Sequence, residues 1–244
     1  MPIIYLSPST QESNYYVTGG TEEYHMNQLA DAMIPYLNSS AIQYKRNTPQ
    51  MTAASSIRQA NEGYYDIHLA LHSNASGEGK YGTTRGIIAF YYPESAEGKR
   101  AAEIFAKNLR TIYPQPDLVR TEPTTMLGEV AKSKFPAVLI EMGYHDNAAD
   151  AKWITGHTEQ IAQNLVLSLT EFFAIPFIYP IDPWDARVRT RGGTLKLRSR
   201  PTKMGTVLVS MPNGAAVRVY GYWQGWYVVH YKNYVGYAAA DYIS

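Results

Sequence analysis

The stretch Asp66-Ile67-His68-Leu69-Ala70-Leu71-His72-Ser73-Asn74-Ala75 constrains this chain more than any other. Ile67, Leu69 and Leu71 alternate with His68, Ala70 and His72, a period of two that predicts a short strand. The run ends in His-Ser-Asn-Ala ahead of Gly77-Glu78-Gly79, so a histidine stands where a central strand gives way to a loop. In open α/β sheets, ligands bind at that edge. The two histidines are four apart, as in the helical His-Glu-x-x-His zinc motif, but Leu69 fills the place of the motif's Glu. On a strand, four residues span about 13 Å at roughly 3.3 Å each. Two ligands with bonds of about 2 Å cannot stand that far apart. A given metal therefore takes one of them at most, and His72, at the strand end, is the candidate. His68 reads as a structural histidine with its ring hydrogen-bonded.

A chain of 244 residues and 27.4 kDa suits one large or two modest domains. Its net charge of +1 gives no global pull toward nucleic acid or an acidic membrane, and basic residues are scattered apart from Arg187-x-Arg189-x-Arg191. The absence of cysteine removes disulfides and thiolate metal sites, so any metal must use His and carboxylates. No apolar run approaches the ~20 residues of a membrane span. Pro2-Ile3-Ile4-Tyr5-Leu6 opens the chain without a basic segment or cleavage site, which reads as no signal peptide. The 21 tyrosines supply flat, amphipathic contact surface suited to binding sugar or peptide.

In chain order, Ile3 to Ser7 predicts a first strand, followed by a long polar loop from Ser9 to Gly20. A helix opens at Thr21-Glu22-Glu23, with a Thr cap and acids in its first turn, and runs through Met26, Leu29, Ala30 and Met33. Ala41 to Arg46 predicts a strand, Thr52 to Glu62 a short helix, Gly86 to Tyr92 a strand and Glu97 to Ile112 a helix. Ala137 to Ile140 is a short apolar run ending in Glu141. Ala148 to Phe173 predicts one long amphipathic helix with Ile154, Ile161, Leu165, Leu169 and Phe172 on its apolar stripe. Strands alternating with helices imply an α/β fold, a mostly parallel sheet with helices on both faces. Residues 175–186 carry several prolines and read as a semi-rigid linker. From Ala186 onward short strands and turns, Asn213-Gly214 among them, predict a small all-β barrel.

Glu141 follows Val138-Leu139-Ile140 directly, which places a carboxylate at the end of a buried strand. Such a group must bind a metal, pair with a cation or act as a base of raised pKa; the alternative is a helix-capping or salt-bridging acid.

Glu23-x-x-x-Asn27 opening a helix, His72-Ser73-Asn74-Ala75 at a strand end, and Leu139-Ile140-Glu141-Met142-Gly143-Tyr144-x-Asp146-Asn147 before a long terminal helix resemble the zinc-dependent N-acetylmuramoyl-L-alanine amidases (the amidase_3 type). These enzymes cut peptidoglycan between the lactyl group of muramic acid and the first L-alanine of the stem peptide. The resemblance covers residues 1–174 and implies zinc, with Glu23 and His72 as ligands, Glu141 as the catalytic carboxylate and Asn74 beside the substrate. One departure stands out. The family's first ligand is a histidine directly after the first strand, where this chain reads Ser7-Pro8-Ser9. Gln11, His25 and His145 are candidates for the missing ligand, with Gln11 ahead, because His25 lies two positions after Glu23 on another side of the helix.

Leu195-Lys196-Leu197-Arg198-Ser199-Arg200-Pro201, Gly225-Trp226-Tyr227-Val228-Val229 and Gly236-Tyr237 resemble the bacterial SH3-type domains of cell-wall enzymes, over residues 187–244. That resemblance implies binding to wall glycan or cross-bridge peptide, with Tyr222 and Trp223 as surface contacts and Trp226 assigned to the barrel core. The combined expectation is a peptidoglycan hydrolase, an endolysin or autolysin, acting extracellularly or at the cell wall and cytoplasmic until lysis if it has no leader. Peptidoglycan is its partner, and neither nucleic acid nor a membrane span is expected. The alternatives are a catalytically inactive wall-binding protein of the same fold and a metal-dependent wall peptidase.

Overall fold

A computed structural model describes residues 1–244. The chain divides into two compact units, one of Ile3–Met33 with Tyr44–Phe172, the other of Met1–Pro2, Ile34–Gln43 and Phe173–Ser244.

The first unit is built on β1 (Ile3–Pro8), β2 (Gln43–Arg46), β3 (Ile67–Asn74), β4 (Ile87–Tyr91), β5 (Val119–Pro123) and β6 (Ala137–Tyr144), in the sheet order β2-β1-β3-β6-β4-β5. β3 runs parallel to both β1 and β6, β4 runs parallel to β5, and β4 is antiparallel to β6. The sheet is mostly parallel, as the alternation of elements predicts. β3 is buried from Ile67 through Ser73, so both of its faces are covered, as in parallel sheets sandwiched between helices. The accompanying helices are α1 (Glu22–Ser39), α2 (Ala53–Glu62), α3 (Ala96–Leu109), α4 (Gly128–Ala131), α5 (Ala148–Gly156) and α6 (Thr158–Phe173). Thr52 caps α2 in a reciprocal box with Ser55, and Ser95 caps α3 by accepting from Gly98 N–H.

The first unit departs from the sequence expectation at several places. The helix expected over Ala148 to Phe173 is two helices, broken at His157. Gly156 is a poor helix former there, His157 leaves helical geometry (φ −130°), and its ring Nδ1 lies 2.9 Å from the Trp153 carbonyl that a continuous helix would have bonded. β5 and α4 were not anticipated. The Val-Arg-Thr-Glu-Pro sequence of β5 lacks a strand pattern and ends in proline, which an edge strand tolerates. β6 continues three residues past Glu141 and holds Gly143 at φ +136°, a conformation that glycine adopts without the strain a side chain would add.

The second unit contains β7 (Trp184–Arg187), β8 (Thr194–Arg198), β9 (Val207–Pro212), β10 (Ala216–Trp223), β11 (Trp226–Tyr231) and β12 (Tyr234–Ala239), in the order β7-β10-β11-β12-β8-β9 with antiparallel pairings throughout. Val188, Leu197, Met211, Val219 and Val229 are fully buried at its centre. Residues 175–186 are not a free linker. Ile178 is buried in a cluster with Ala41, Val228, Val235 and Tyr237, its carbonyl accepts from Ser39 Oγ at 2.6 Å, and Trp184–Arg187 is already a sheet strand. Prolines excluded a helix there, but an extended segment with alternate apolar residues packs as readily as it links. Gly221 meets the same neighbourhood: a Cβ on it would come within 2.8 Å of the Ser39 carbonyl, so only glycine fits.

Candidate active site

The parallel pairing of β3 with β6 sets His72 opposite Glu141, and paired residues project to the same face of a sheet. His72 is the hub of the site. Glu22, the first residue of α1, places Oε1 2.8 Å from His72 Nδ1, while its Oε2 accepts from Asn14 Nδ2 at 2.6 Å. Glu129, on α4, places Oε2 2.8 Å from His72 Nε2. Its other oxygen accepts from the Ser7 hydroxyl and lies 3.4 Å from His68 Nε2. Glu22 and Glu129 are only 1% and 6% exposed, which no unpaired carboxylate would tolerate.

A neutral imidazole has one N–H and can donate to only one of two flanking carboxylates. The contact of His72 with both requires a further positive charge on one side of the ring, either a second proton or a metal ion. The electrostatics agree. Burial alone disfavours imidazolium, but the hydrogen bonds with Glu129 and Glu22 raise the His72 pKa well above its ordinary value. Burial would push both carboxylates up. The His72 contact overrides it at Glu22, and the His68 and His72 contacts override it at Glu129, so both acids titrate lower than usual.

Glu141 behaves in the opposite way. Its Oε2 is out of solvent and has no hydrogen-bond partner. Burial raises its pKa to about 7, with the His72 charge pulling down and Glu22 and Glu129 pushing up. A carboxyl poised at that value next to a histidine between two acids is equipped to take and return a proton.

The other expected residues fall as follows. Glu23 is turned away from His72; its carboxylate accepts from Asn27 Nδ2 at 3.2 Å, and Glu22 occupies the place expected for it. The helix rotates by about 100° per residue, so a one-residue difference decides which acid faces the sheet. Gln11 is exposed, and its Oε1 accepts from Asn14 Nδ2 at 2.9 Å, one hydrogen bond removed from Glu22. His25 Nε2 bonds the Gly19 carbonyl at 2.8 Å and His145 Nδ1 the Ser73 carbonyl at 2.9 Å, so each has a ring nitrogen committed to backbone. Asn74 ends β3 with Oδ1 accepting from Ala75 N at 2.9 Å. Just beyond β6, Asp146 accepts from Ser76 N and Gly82 N at 3.1 and 3.0 Å, tying the 75–86 loop to the strand end. Glu129 and Asn14 escaped the sequence reading.

As a test of fit to a metal, His72 Nδ1 and Glu22 Oε1 are an imidazole and a carboxylate 2.8 Å apart, a donor pair of the kind zinc takes. No group of three His, Cys, Asp or Glu side chains is arranged to hold one, in keeping with the missing histidine after β1.

In the second unit, Tyr222 is 52% exposed and meets the Tyr227 ring edge-on, 5.5 Å between centroids. Trp223, expected at the surface, is half-buried against the Ile178 and Tyr237 cluster.

This architecture, with a histidine and a raised-pKa carboxyl side by side toward the carboxyl ends of central parallel strands, defines a hydrolase-type α/β site in a chain that also carries a small β domain. Residues 9–171 match the family described as N-acetylmuramoyl-L-alanine amidase (Amidase_3), and residues 192–244 match the bacterial SH3 domain. The first match spans well over half of the chain, and the chain belongs to that amidase family. It is a peptidoglycan amidase carrying a bacterial SH3 domain. Among solved structures, the N-acetylmuramoyl-L-alanine amidase of Clostridium difficile 630 is similar at 18% identity and TM-score 0.63, over 71% of this chain and 97% of that one. AmiC2 of Nostoc punctiforme is similar at 14% and 0.62, over 71% and 97%. The catalytic domain of the CD27L endolysin targeting Clostridia difficile is similar at 22% and 0.58, over 70% and 97%. At these identities the likeness is one of fold. No curated protein matches the chain.

Proposed function

We propose that this enzyme cleaves the amide between N-acetylmuramic acid and L-alanine at the wall, with Glu141 as proton carrier and a zinc ion held by His72 Nδ1 and Glu22 Oε1. The observation that carries this reading is the pairing of Glu141, with an unpartnered buried oxygen and a pKa of about 7, across from His72. Gln11 is the further donor, supported by its link through Asn14 to the Glu22 carboxylate. His72, Glu22 and Gln11 would hold the zinc, which would supply Lewis-acid polarisation of the scissile carbonyl and lower the pKa of a water.

The chain's own residues do the rest. Ionised Glu141 accepts the proton of the attacking water on its free oxygen and returns it to the departing L-alanine nitrogen, acting as base and then acid. Glu129 accepts the Nε2 proton of His72, which leaves the Nδ1 lone pair directed toward Glu22 and the metal position. The Ser7 hydroxyl holds Glu129 in turn, and His68 approaches it at 3.4 Å with neither ring nitrogen in a hydrogen bond, contrary to the satisfied ring expected of it. Asn74 and the loop pinned by Asp146 border the strand ends where the stem peptide lies. The SH3 domain keeps the enzyme on the wall, so cleavage takes place outside the cytoplasmic membrane, and no helix is long and apolar enough to cross one.

The test is product analysis on purified peptidoglycan. New L-alanine N-termini, released by the parent chain and abolished by Glu141→Gln, are expected. New termini on any other stem-peptide residue would make the enzyme a peptidase.

A further inference from the structure

Charge in this chain is divided unevenly. Residues 184–244 hold nine Lys or Arg and two Asp or Glu, a net +7 in a chain that totals +1, so residues 1–183 carry −6. Within the SH3 domain, Arg191, Lys196, Arg198 and Lys203 border one groove of about 440 Å³ whose aromatic walls are Trp226 and Tyr242. No acidic residue lines it. Three other arginines of the domain are engaged, Arg218 with Asp185, Arg187 with the Gly214 carbonyl, and Arg200 with the Ala174 and Phe173 carbonyls, while Arg189 lies exposed outside the groove. In the groove only Arg198 is anchored, to the Gly205 carbonyl at 2.8 Å, and its neighbours Arg191, Lys196 and Lys203 are exposed with no acid paired to them. Like charges gathered without counter-charge repel one another, and an anionic occupant removes that repulsion.

We propose that this groove binds a phosphodiester polymer of the bacterial wall, of the teichoic-acid type, with the cations on its phosphates and the two rings against its polyol or sugar units. The proposal rests on the reading that the SH3 domain holds the amidase on the wall, and it names what is held. Phosphate chemistry is favoured over the stem peptide by the size of the imbalance. Stem peptides bring few carboxylates and commonly a cationic residue as well, whereas a phosphodiester chain repeats one negative charge per unit and meets a row of unpaired cations. Guanidinium groups suit phosphate oxygens in particular.

The experiment compares binding of the full chain to purified Gram-positive walls before and after hydrofluoric acid treatment, which cleaves phosphodiesters and leaves peptidoglycan. The expected result is a loss of roughly tenfold or more in affinity after treatment, with binding to untreated walls falling steeply with salt. Lys196→Glu with Lys203→Glu should weaken binding to untreated walls by a similar factor and leave turnover of soluble muropeptides unchanged. The milder pair Lys196→Gln with Lys203→Gln, which keeps the side-chain stems, should fall between. Three results overturn the proposal while leaving wall targeting intact: equal binding to treated and untreated walls, unchanged binding by both variant pairs, or loss of muropeptide turnover with the groove changes. Competition by duplex DNA as effective as that by soluble teichoic acid at the same salt overturns the assignment in favour of a general polyanion site. If the parent chain binds neither wall preparation, the wall-targeting reading falls with it.

Discussion

His72 Nε2 and Glu129 Oε2 stand 2.8 Å apart, on the side of the imidazole away from Glu22. Both ring nitrogens face a buried carboxylate, and under the zinc reading proposed above Nε2 would donate to Glu129 while Nδ1 turned to the metal beside Glu22. Glu129→Gln should therefore lower zinc affinity by about 10- to 100-fold, the usual range for a partner that orients a ligand histidine. Competition with a chromogenic chelator measures it directly. Glu129→Ala should also cost about 1–3 kcal/mol of stability, because the Ser7 hydroxyl and the His72 N–H lose their acceptor inside the protein. Unchanged zinc affinity in both variants would make Glu129 a packing residue only.

Much of this site can be read in the chain. His72 and Glu141 follow from an alternating strand and an apolar run that each end on a polar group, and the structure pairs the two strands. Glu22 was also within reach. Positions 22, 26, 29 and 33 share one helical face, and Met26, Leu29 and Met33 on it are all buried, so that face carries Glu22 rather than Glu23 into the site. Glu129 was not within reach, because a four-residue helix has too little length for periodicity, and its partners lie 57 and 122 positions away. The packing of residues 175–186 was hidden for a related reason: proline content excludes a helix but does not reveal which surface an extended segment covers.

The raised pKa of Glu141 sets a pH dependence of catalysis. A base works ionised, and a group with a pKa of about 7 is mostly protonated below that value. The kcat/KM of the parent should therefore fall about tenfold per pH unit on the acid side of its limb. Glu141→Gln should lose at least ~10²-fold in kcat, show no such limb, and keep its zinc. Zinc release by Glu141→Gln would reassign the carboxylate as a ligand.

Ile178 is 3% exposed and packs with Ala41, Val228, Val235 and Tyr237 in the second unit. Ile178→Ala should destabilise that unit by about 2–5 kcal/mol, the range for removing a buried isoleucine side chain down to Cβ. Denaturant unfolding followed by tryptophan fluorescence suits the measurement, since Trp184, Trp223 and Trp226 all lie in this unit. A loss below about 0.5 kcal/mol would return the segment to the role of a linker. By the same reasoning, a fragment beginning at residue 184 should be less stable than one beginning at residue 173.

His230, on β11, supplies a stability change with pH that is independent of the active site. Its ring lies against that of Tyr220, 4.0 Å between centroids, its Nε2 is buried without a partner, and burial lowers its pKa to about 4. The unfolded chain binds a proton at this position near the ordinary value of about 6.5. Between these two values the unfolded state holds more protons than the folded one, so stability falls as the pH drops from about 6.5 toward 4. Above about 6.5 both states are neutral and the position contributes no slope. His230→Gln removes the titration while retaining a polar side chain of similar reach. The parent should lose more stability than this variant between pH 7.5 and pH 5, whatever their difference at pH 7.5, in denaturant unfolding followed by tryptophan fluorescence. Parallel pH profiles for the two proteins would show that His230 takes up its proton in the folded domain as readily as in the unfolded chain.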